Sequence, residues 1–359
     1  LTIHIPGVER MLLRTMVAVL SLMSMPAMAD EPLSSALEEA LDRAESLSPL
    51  QTVVIAHDGG IVAERGYRGH SPGAPTSIMS ASKSVISALV GIAIDKGVLD
   101  GTDQLIAPIL AKDLPADPDP RLARVTVGNL LSMQAGLGST SGPRYGAWIA
   151  SRNWVRFALA QPFEDDPGGR MIYSTGSTHL LSAILTRESG RSTLALARDW
   201  LGPLKGFSIA GWDRDPQGTH VGGNLMSMSP RSLLAFGELY RTGGLTPDGQ
   251  RLISREWIER SWVSRTASRY TGDGYGYGWF SRRIGGHDVK YGWGYGGQMV
   301  YVVPALALTV VMTSDIDSPA SRTGHRDDLH ALLGEIIGLV ADAAAVSEPQ
   351  KTNQGLRPT

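Results

Sequence analysis

The run "IMSASKSVISALVGIAIDKG", residues 78–97, sets Ser80 and Lys83 one helical turn apart. Positions i and i+3 share a helix face, so the two side chains can meet. At a helix start the first backbone N–H groups lack intrahelical acceptors, and the local dipole favours negative charge. A lysine held there and partly desolvated has a depressed pKa. Its neutral amine can take the proton of a serine hydroxyl and make a nucleophile of it. The plain alternative is that Ser80 or Ser82 caps the helix while Lys83 projects into solvent. Two features favour chemistry. Lys83 is the only lysine in the chain with a serine three residues before it. The residues that follow, Val85, Ile86, Leu89, Val90, Ile92 and Ala93, are apolar nearly all round, which buries the first turn.

Other chemistries find less support. One G-x-S-x-G string occurs, "GHSPG" at Gly69 to Gly73, but Pro72 and the "APTS" after it read as an extended loop. A nucleophile elbow needs a strand before it and a helix directly after. The sequence lacks H-E-x-x-H and paired histidines at metal spacing, so no metal site is expected. His179 reads as a structural histidine without a partner. Glu164, Asp165 and Asp166 in "FEDDPGG" read as a solvated loop. The chain has no cysteine, which excludes thiol chemistry and disulfides.

The elements that must hold Ser80 and Lys83 follow from the hydrophobic pattern. Thr52–Ala56 and Ile61–Glu64 flank Asp58-Gly59-Gly60 and predict a hairpin. The Ser80 helix comes next and stops at Gly97. Residues 100 to 260 are mainly short amphipathic helices, such as "VTVGNLLSMQAGL", "HLLSAILTRESG" and "SPRSLLAFGELYRTGG". Strand patterns return in "GYGYGWFSRR", "HDVKYGWGYGG" and "MVYVVPALALTVVMTS". A last helix over about 326–345 carries Leu329, Leu332, Ile336, Leu339 and Val340. Strands and helices are segregated, which predicts an α+β fold. An antiparallel sheet is built from both chain ends, with flanking helices and a helical insertion over about 100–260. The active groups are expected where sheet and insertion meet.

Composition bounds the rest. A net charge of −2 over 359 residues gives no basic face for nucleic acid. The 42 glycines fall between apolar runs and read as turns. Met11-Leu12-Leu13-Arg14, the apolar "TMVAVLSLMSMPAMA" and Ala27-Met28-Ala29 before Asp30 make a signal-peptide pattern. Residues 1–29 are therefore expected to be upstream sequence and signal peptide, 30–346 the folded domain, and 347–359 a mobile tail. The protein is expected to be exported, periplasmic or secreted, with no later run long or apolar enough to span a membrane. It would act as a monomer or homodimer.

"SASKSVISALVGIAIDKG" resembles the first motif of the serine β-lactamase and penicillin-binding-protein superfamily. "VTVGNLLSMQAGL" resembles the segment that follows in class C-type members. "PGGRMIYSTGSTHLLSAILTRESG" resembles the second-motif region, and "GYGGQMVYVVPALALTVVMTS" the third-motif strand and its successor. The motifs run in order from about residue 50 to 345, most like the 6-aminohexanoate-dimer hydrolase group. The resemblance implies Ser80 as nucleophile, Lys83 as its base and Tyr173 as a second proton carrier. The backbone N–H groups of Ser80 and Tyr295 would form an oxyanion hole. Thr175, Asn224, Gly296 and Gly297 become candidate substrate contacts. Two departures stand out. Thr175 replaces the asparagine of Tyr-x-Asn, and Gly294-Tyr295-Gly296 replaces Lys-Thr-Gly, so no cation awaits a substrate carboxylate. The aromatics around the third motif (Tyr275, Tyr277, Trp279, Tyr291, Trp293 and Tyr295) read first as core or sheet surface, with a substrate-lining role for one or two of them, and for Tyr145 or Trp148, as the lesser alternative. The expected activity is cofactor-free hydrolysis of a small-molecule amide or ester through an acyl-enzyme. A carboxylesterase, a D-amino-acid peptidase, a weak β-lactamase on the same site, and a non-catalytic sensor remain open.

Overall fold

A computed structural model describes residues 30–317 and 319–347. The expected signal-peptide segment and most of the expected tail lie outside these residues. Eleven strands are described: β1 (Leu50–His57), β2 (Gly60–Gly66), β3 (Thr76–Ser77), β4 (Gly211–Trp212), β5 (Met226–Met228), β6 (Thr266–Ala267), β7 (Gly274–Tyr275), β8 (Phe280–Ile284), β9 (His287–Gly294), β10 (Gln298–Val303) and β11 (Leu308–Ser314). Eight form one antiparallel sheet in the order β2-β1-β11-β10-β9-β8-β7-β6. The N-terminal hairpin joins the C-terminal strands through β1 and β11, with Val53 opposite Met312 and Ile55 opposite Val310. The sheet is thus made of both chain ends, as the segregated pattern implied. A three-stranded sheet, β3-β5-β4, was not foreseen because its strands are only two or three residues long.

Alternation along β10 and β11 sorts side chains to two faces. Met299, Tyr301, Val310 and Met312 face the N-terminal helix (Asp30–Ala44) and the C-terminal helix (His325–Ser347). Val300, Val302 and Val311 face the helical core around the Ser82–Asp95 helix. Val85, Ile86, Leu89, Val90 and Ile92 of that helix are all buried. Each contributes roughly 1.5–3 kcal/mol by leaving water, so the helix is a rigid base for its first turn. A Cβ at Gly91 would sit 2.4 Å from the Trp257 ring, so only glycine allows this approach.

Two expectations need correction. Ser80 is not on the α-helix itself but in a 3₁₀ turn, Met79–Ala81, that feeds it. The last helix passes the length and hydropathy test for a membrane span over His325–Val346, with a mean hydropathy of 1.7. Its apolar residues are nonetheless partly committed, since Leu329, Leu332, Leu333, Ile336, Ile337 and Val340 pack on the sheet.

Candidate active site

The site forms where the end of β9 and the helical middle of the chain converge on the 3₁₀ turn. Met79, just before Ser80, adopts φ +49°, a left-handed conformation rare for a side chain of its kind. Strain of this sort persists only where the surroundings enforce it. Here Ile78 N–H is tied to Met226 O at 2.9 Å. The end of β9 presses on the same segment, since a Cβ at Gly294 would fall 2.3 Å from Ile78 O.

Lys83 is 2% exposed. Its Nζ lies 3.0 Å from Ser80 Oγ, 3.3 Å from Thr175 Oγ1 and 2.7 Å from Gly223 O. Burial alone lowers its pKa to about 7. A neutral amine has two N–H donors and one lone pair. Gly223 O can only accept, and Thr175 Oγ1 can take the second N–H. The lone pair then remains for the Ser80 hydroxyl proton, which is the arrangement a base needs.

Tyr173 packs against Tyr275 and Phe280, with ring centroids 6.4 and 6.3 Å away. Burial pushes its phenol up to about 12, and a hydrogen bond with the Ser80 side chain works in the opposite direction. The Lys83 amine stands 5.0 Å from the Tyr173 ring centroid. Three hydroxyls in a loop of the helical middle fix this strip. Ser139 Oγ donates to Tyr173 O at 2.6 Å. Thr140 N–H and Gly176 N–H engage Ser174 Oγ and Thr140 Oγ1 at 3.1 and 2.8 Å. Ser141 Oγ accepts from Thr175 N–H at 2.9 Å and meets Thr175 Oγ1 at 3.0 Å. The Thr175 hydroxyl is thereby oriented where an asparagine would otherwise stand.

Tyr295 follows the last residue of β9 and is 49% exposed. Among the described residues neither its backbone N–H nor that of Ser80 is given to a protein acceptor. Gln298 holds the turn from inside, donating to Ser314 O at 2.6 Å and reaching Tyr295 O at 3.4 Å. Gly296 and Gly297 pack against Asp315 and against Leu329, Ser314 and His325. They shape the Tyr295 turn rather than approach Lys83. Asn224 and Tyr145 are brought together, Nδ2 donating to the phenol oxygen at 2.9 Å, one residue beyond the carbonyl that holds Lys83. Trp148, Tyr275, Tyr277, Trp279 and Tyr291 are core residues. The GHSPG loop lines a half-open hollow of about 390 Å³ with Thr76, Pro230 and Ile316, none of them a partner of Lys83. Glu164, Asp165 and Asp166 are surface groups near Arg170 and Arg124.

The residues that sequence reasoning missed are Ser141, Gly223 and Asp215. The Ser139-Thr140-Ser141 run was visible as a hydroxyl cluster but had no assigned neighbour. The reading of His179 as unpaired is corrected: its Nε2 lies 3.0 Å from Asp215 Oδ2, and both side chains are fully buried. A contact spanning 36 residues leaves no local trace. Among the described residues no group of three or more His, Cys, Asp or Glu could hold a metal ion.

The fold and the placement of these groups are of the β-lactamase type. The chain belongs to the Beta-lactamase family, whose pattern matches residues 37–335. It is 31% identical over 186 residues to a Dichelobacter nodosus protein named for fimbrial assembly (FimD, serogroup D), covering 48% of this chain and 46% of that one. The chain thus spans about half the length of the curated relatives it matches. The same fold recurs in a Bacillus anthracis protein provisionally named a 6-aminohexanoate-dimer hydrolase, with a TM-score of 0.68, 18% identity, and 87% and 83% of the two chains covered. It recurs in EstCE1, described as a hydrolase with promiscuous acyltransferase activity, at a TM-score of 0.69 and 17% identity over 88% and 100% of the chains.

Proposed function

We propose that this protein hydrolyses a small-molecule amide or ester through an acyl-enzyme on Ser80, in the manner of 6-aminohexanoate-dimer hydrolases, after export from the cytoplasm. The observation that carries the reading is a buried Lys83 amine, brought by burial to a pKa of about 7, 3.0 Å from the Ser80 hydroxyl. Lys83 takes the Ser80 proton as Oγ bonds to the substrate carbonyl carbon. The oxyanion is held by the Ser80 and Tyr295 N–H groups. Tyr173, beside Ser80, passes a proton to the departing amine or alcohol as the scissile bond breaks. Water, deprotonated by the same groups, then releases the acid and restores Ser80. The Gly294-Tyr295-Gly296 turn offers no cation, which favours substrates without a carboxylate at that end.

The test is labelling of the purified protein with a fluorophosphonate, in which Ser80 Oγ bonds to phosphorus and fluoride leaves. It is run beside turnover of p-nitrophenyl esters, amides and a β-lactam. Labelling and turnover that vanish in Ser80→Ala, with the melting curve intact, are expected. Undiminished turnover in that variant would overturn the reading. Stable labelling without turnover would point instead to an acylated sensor.

A further inference from the structure

We propose that the buried His179–Asp215 pair is a positioning device for the Lys83 base, acting through the Gly222–Gly223 backbone. This rests on the reading of Lys83 as the base.

His179 lies one turn beyond Thr175 on the Thr175–Ser189 helix, so the two share a face. Asp215 sits on the loop between β4 and β5 and is fully engaged. Its Oδ1 accepts from the N–H groups of Gln217 and Thr219 at 2.9 and 2.8 Å, and its Oδ2 faces His179 Nε2. The other ring nitrogen, Nδ1, receives the N–H of Gly222 at 3.4 Å. Only an unprotonated ring nitrogen can accept, so the imidazole carries its proton on Nε2 and gives it to Asp215. Asp215 therefore selects the tautomer that can hold Gly222.

What is held is the strand of backbone that touches Lys83. A Cβ at Gly222 would fall 2.1 Å from Thr178 O. One at Gly223 would fall 2.2 Å from Thr178 Oγ1 and 2.9 Å from Lys83 Cγ, and Gly223 has φ +117°. The loop is thus drawn onto the very turn between Thr175 and His179, with the Gly223 carbonyl aimed at Lys83 Nζ. Trp148 and Trp154 meet the imidazole at 5.5 and 5.8 Å and cover it. The Gly223 carbonyl takes one Lys83 N–H; if it swings away, the amine rotates and its lone pair leaves Ser80.

Asp215→Asn keeps the shape and an oxygen for the two backbone donors but presents an amide N–H to His179. The imidazole must then move its proton to Nδ1, which confronts the Gly222 N–H with another donor. The limiting rate of fluorophosphonate labelling is expected to fall roughly 10- to 100-fold, as for a misplaced catalytic group. The half-saturating probe concentration should not change. A second pair of variants separates positioning from simple stapling. His179→Asn places an oxygen where Nδ1 was, keeping an acceptor for Gly222. His179→Gln places an amide N–H where Nε2 was, keeping a donor for Asp215. Positioning predicts faster labelling in the asparagine variant, whereas a purely structural pair predicts the reverse.

An Asp215→Asn protein that labels within twofold of wild type, or a glutamine variant that outperforms asparagine, would overturn the proposal. Should none of the variants fold, imidazole ¹⁵N shifts of the wild-type protein decide it. A proton on Nε2 of His179 supports the device, and one on Nδ1 sinks it. All rates are taken only on labelling that Ser80→Ala abolishes, so a failure of the Ser80 reading shows first, in wild type.

Discussion

Two buried clusters in this protein pair a shifted base with tyrosines, and they differ in what surrounds the base. In one, burial lowers Lys83 to about 7 beside Tyr173. In the other, burial lowers His330 to about 4, with Arg282 and Arg326 adding to the shift; the Tyr301 hydroxyl and His330 Nδ1 are hydrogen-bonded at 3.0 Å. Nearby, Tyr291 donates to Asp273 at 2.7 Å, and burial raises both phenols far above their usual range. In the second cluster, among the described residues, no serine or threonine hydroxyl is hydrogen-bonded to His330, which lies on the C-terminal helix. The first meets half-buried Ser80, two uncommitted backbone N–H groups and the exposed Tyr295. A perturbed base is therefore not by itself a site. It becomes one when a nucleophile, oxyanion donors and an opening meet it.

The sharpest way to break this contrast is Lys83→Met. Loss of the base should lower kcat at least 10³-fold. In wild type, kcat/KM should rise with pH through about 7, as Lys83 loses its proton, and then level off. An activity profile flat between pH 5.5 and 8.5 would remove Lys83 from the mechanism. The same variant should unfold no lower than wild type at pH 7. The depressed amine costs stability wherever the unfolded chain would bind the proton, and that cost grows as pH falls from 10.5 to 7. Tyr173→Phe comes next, with kcat down about 10²-fold and KM little changed, because the ring packing survives the loss of the hydroxyl. A tenfold rise in KM with kcat intact would make Tyr173 a binding residue instead.

The smallest effect is expected in the other cluster. His330→Asn keeps a hydrogen-bonding group where Nδ1 stood, and activity should stay within twofold. His330 is held neutral when folded, so it contributes stability above its unfolded pKa near 6.5. That contribution drains away as pH falls toward about 4. Wild-type stability should lose on the order of 3 kcal/mol over that window from this group, and the variant should lose less. Equal acid slopes in the two proteins, read by denaturant melts, would show that His330 does not titrate as described.

How much of this was legible beforehand depended on range. The hairpin, the Ser229-capped helix beginning at Pro230 and the last strands announced themselves through local periodicity and turn residues. The Ser80–Lys83 pair was readable because both lie in one turn. Thr175 was readable as a departure from Tyr-x-Asn, but not its hydrogen bonds to Ser141, which is 34 residues away. Gly223 contributes only a carbonyl, and every residue has one. Asp215 sat among exposed neighbours in "DRDPQG", and its burial comes from tertiary packing that no local pattern encodes. The short strands β3, β4 and β5 escaped notice because two or three residues carry no period.

The pairing of β1 with β11 also has a consequence in time. Thr52 Oγ1 meets Thr313 Oγ1 at 2.5 Å across 261 residues of chain, between the second and third strands of the sheet. Such contacts close late, since the entropy of a long loop must be overcome before they are rewarded. A ribosome must release the chain past Gly294 before the end of β9 can press Ile78 into place and complete the Ser80 turn. On the proposed function, nascent copies should stay silent until β9 has emerged, and a chain truncated before β9 should be inert however well its helices form.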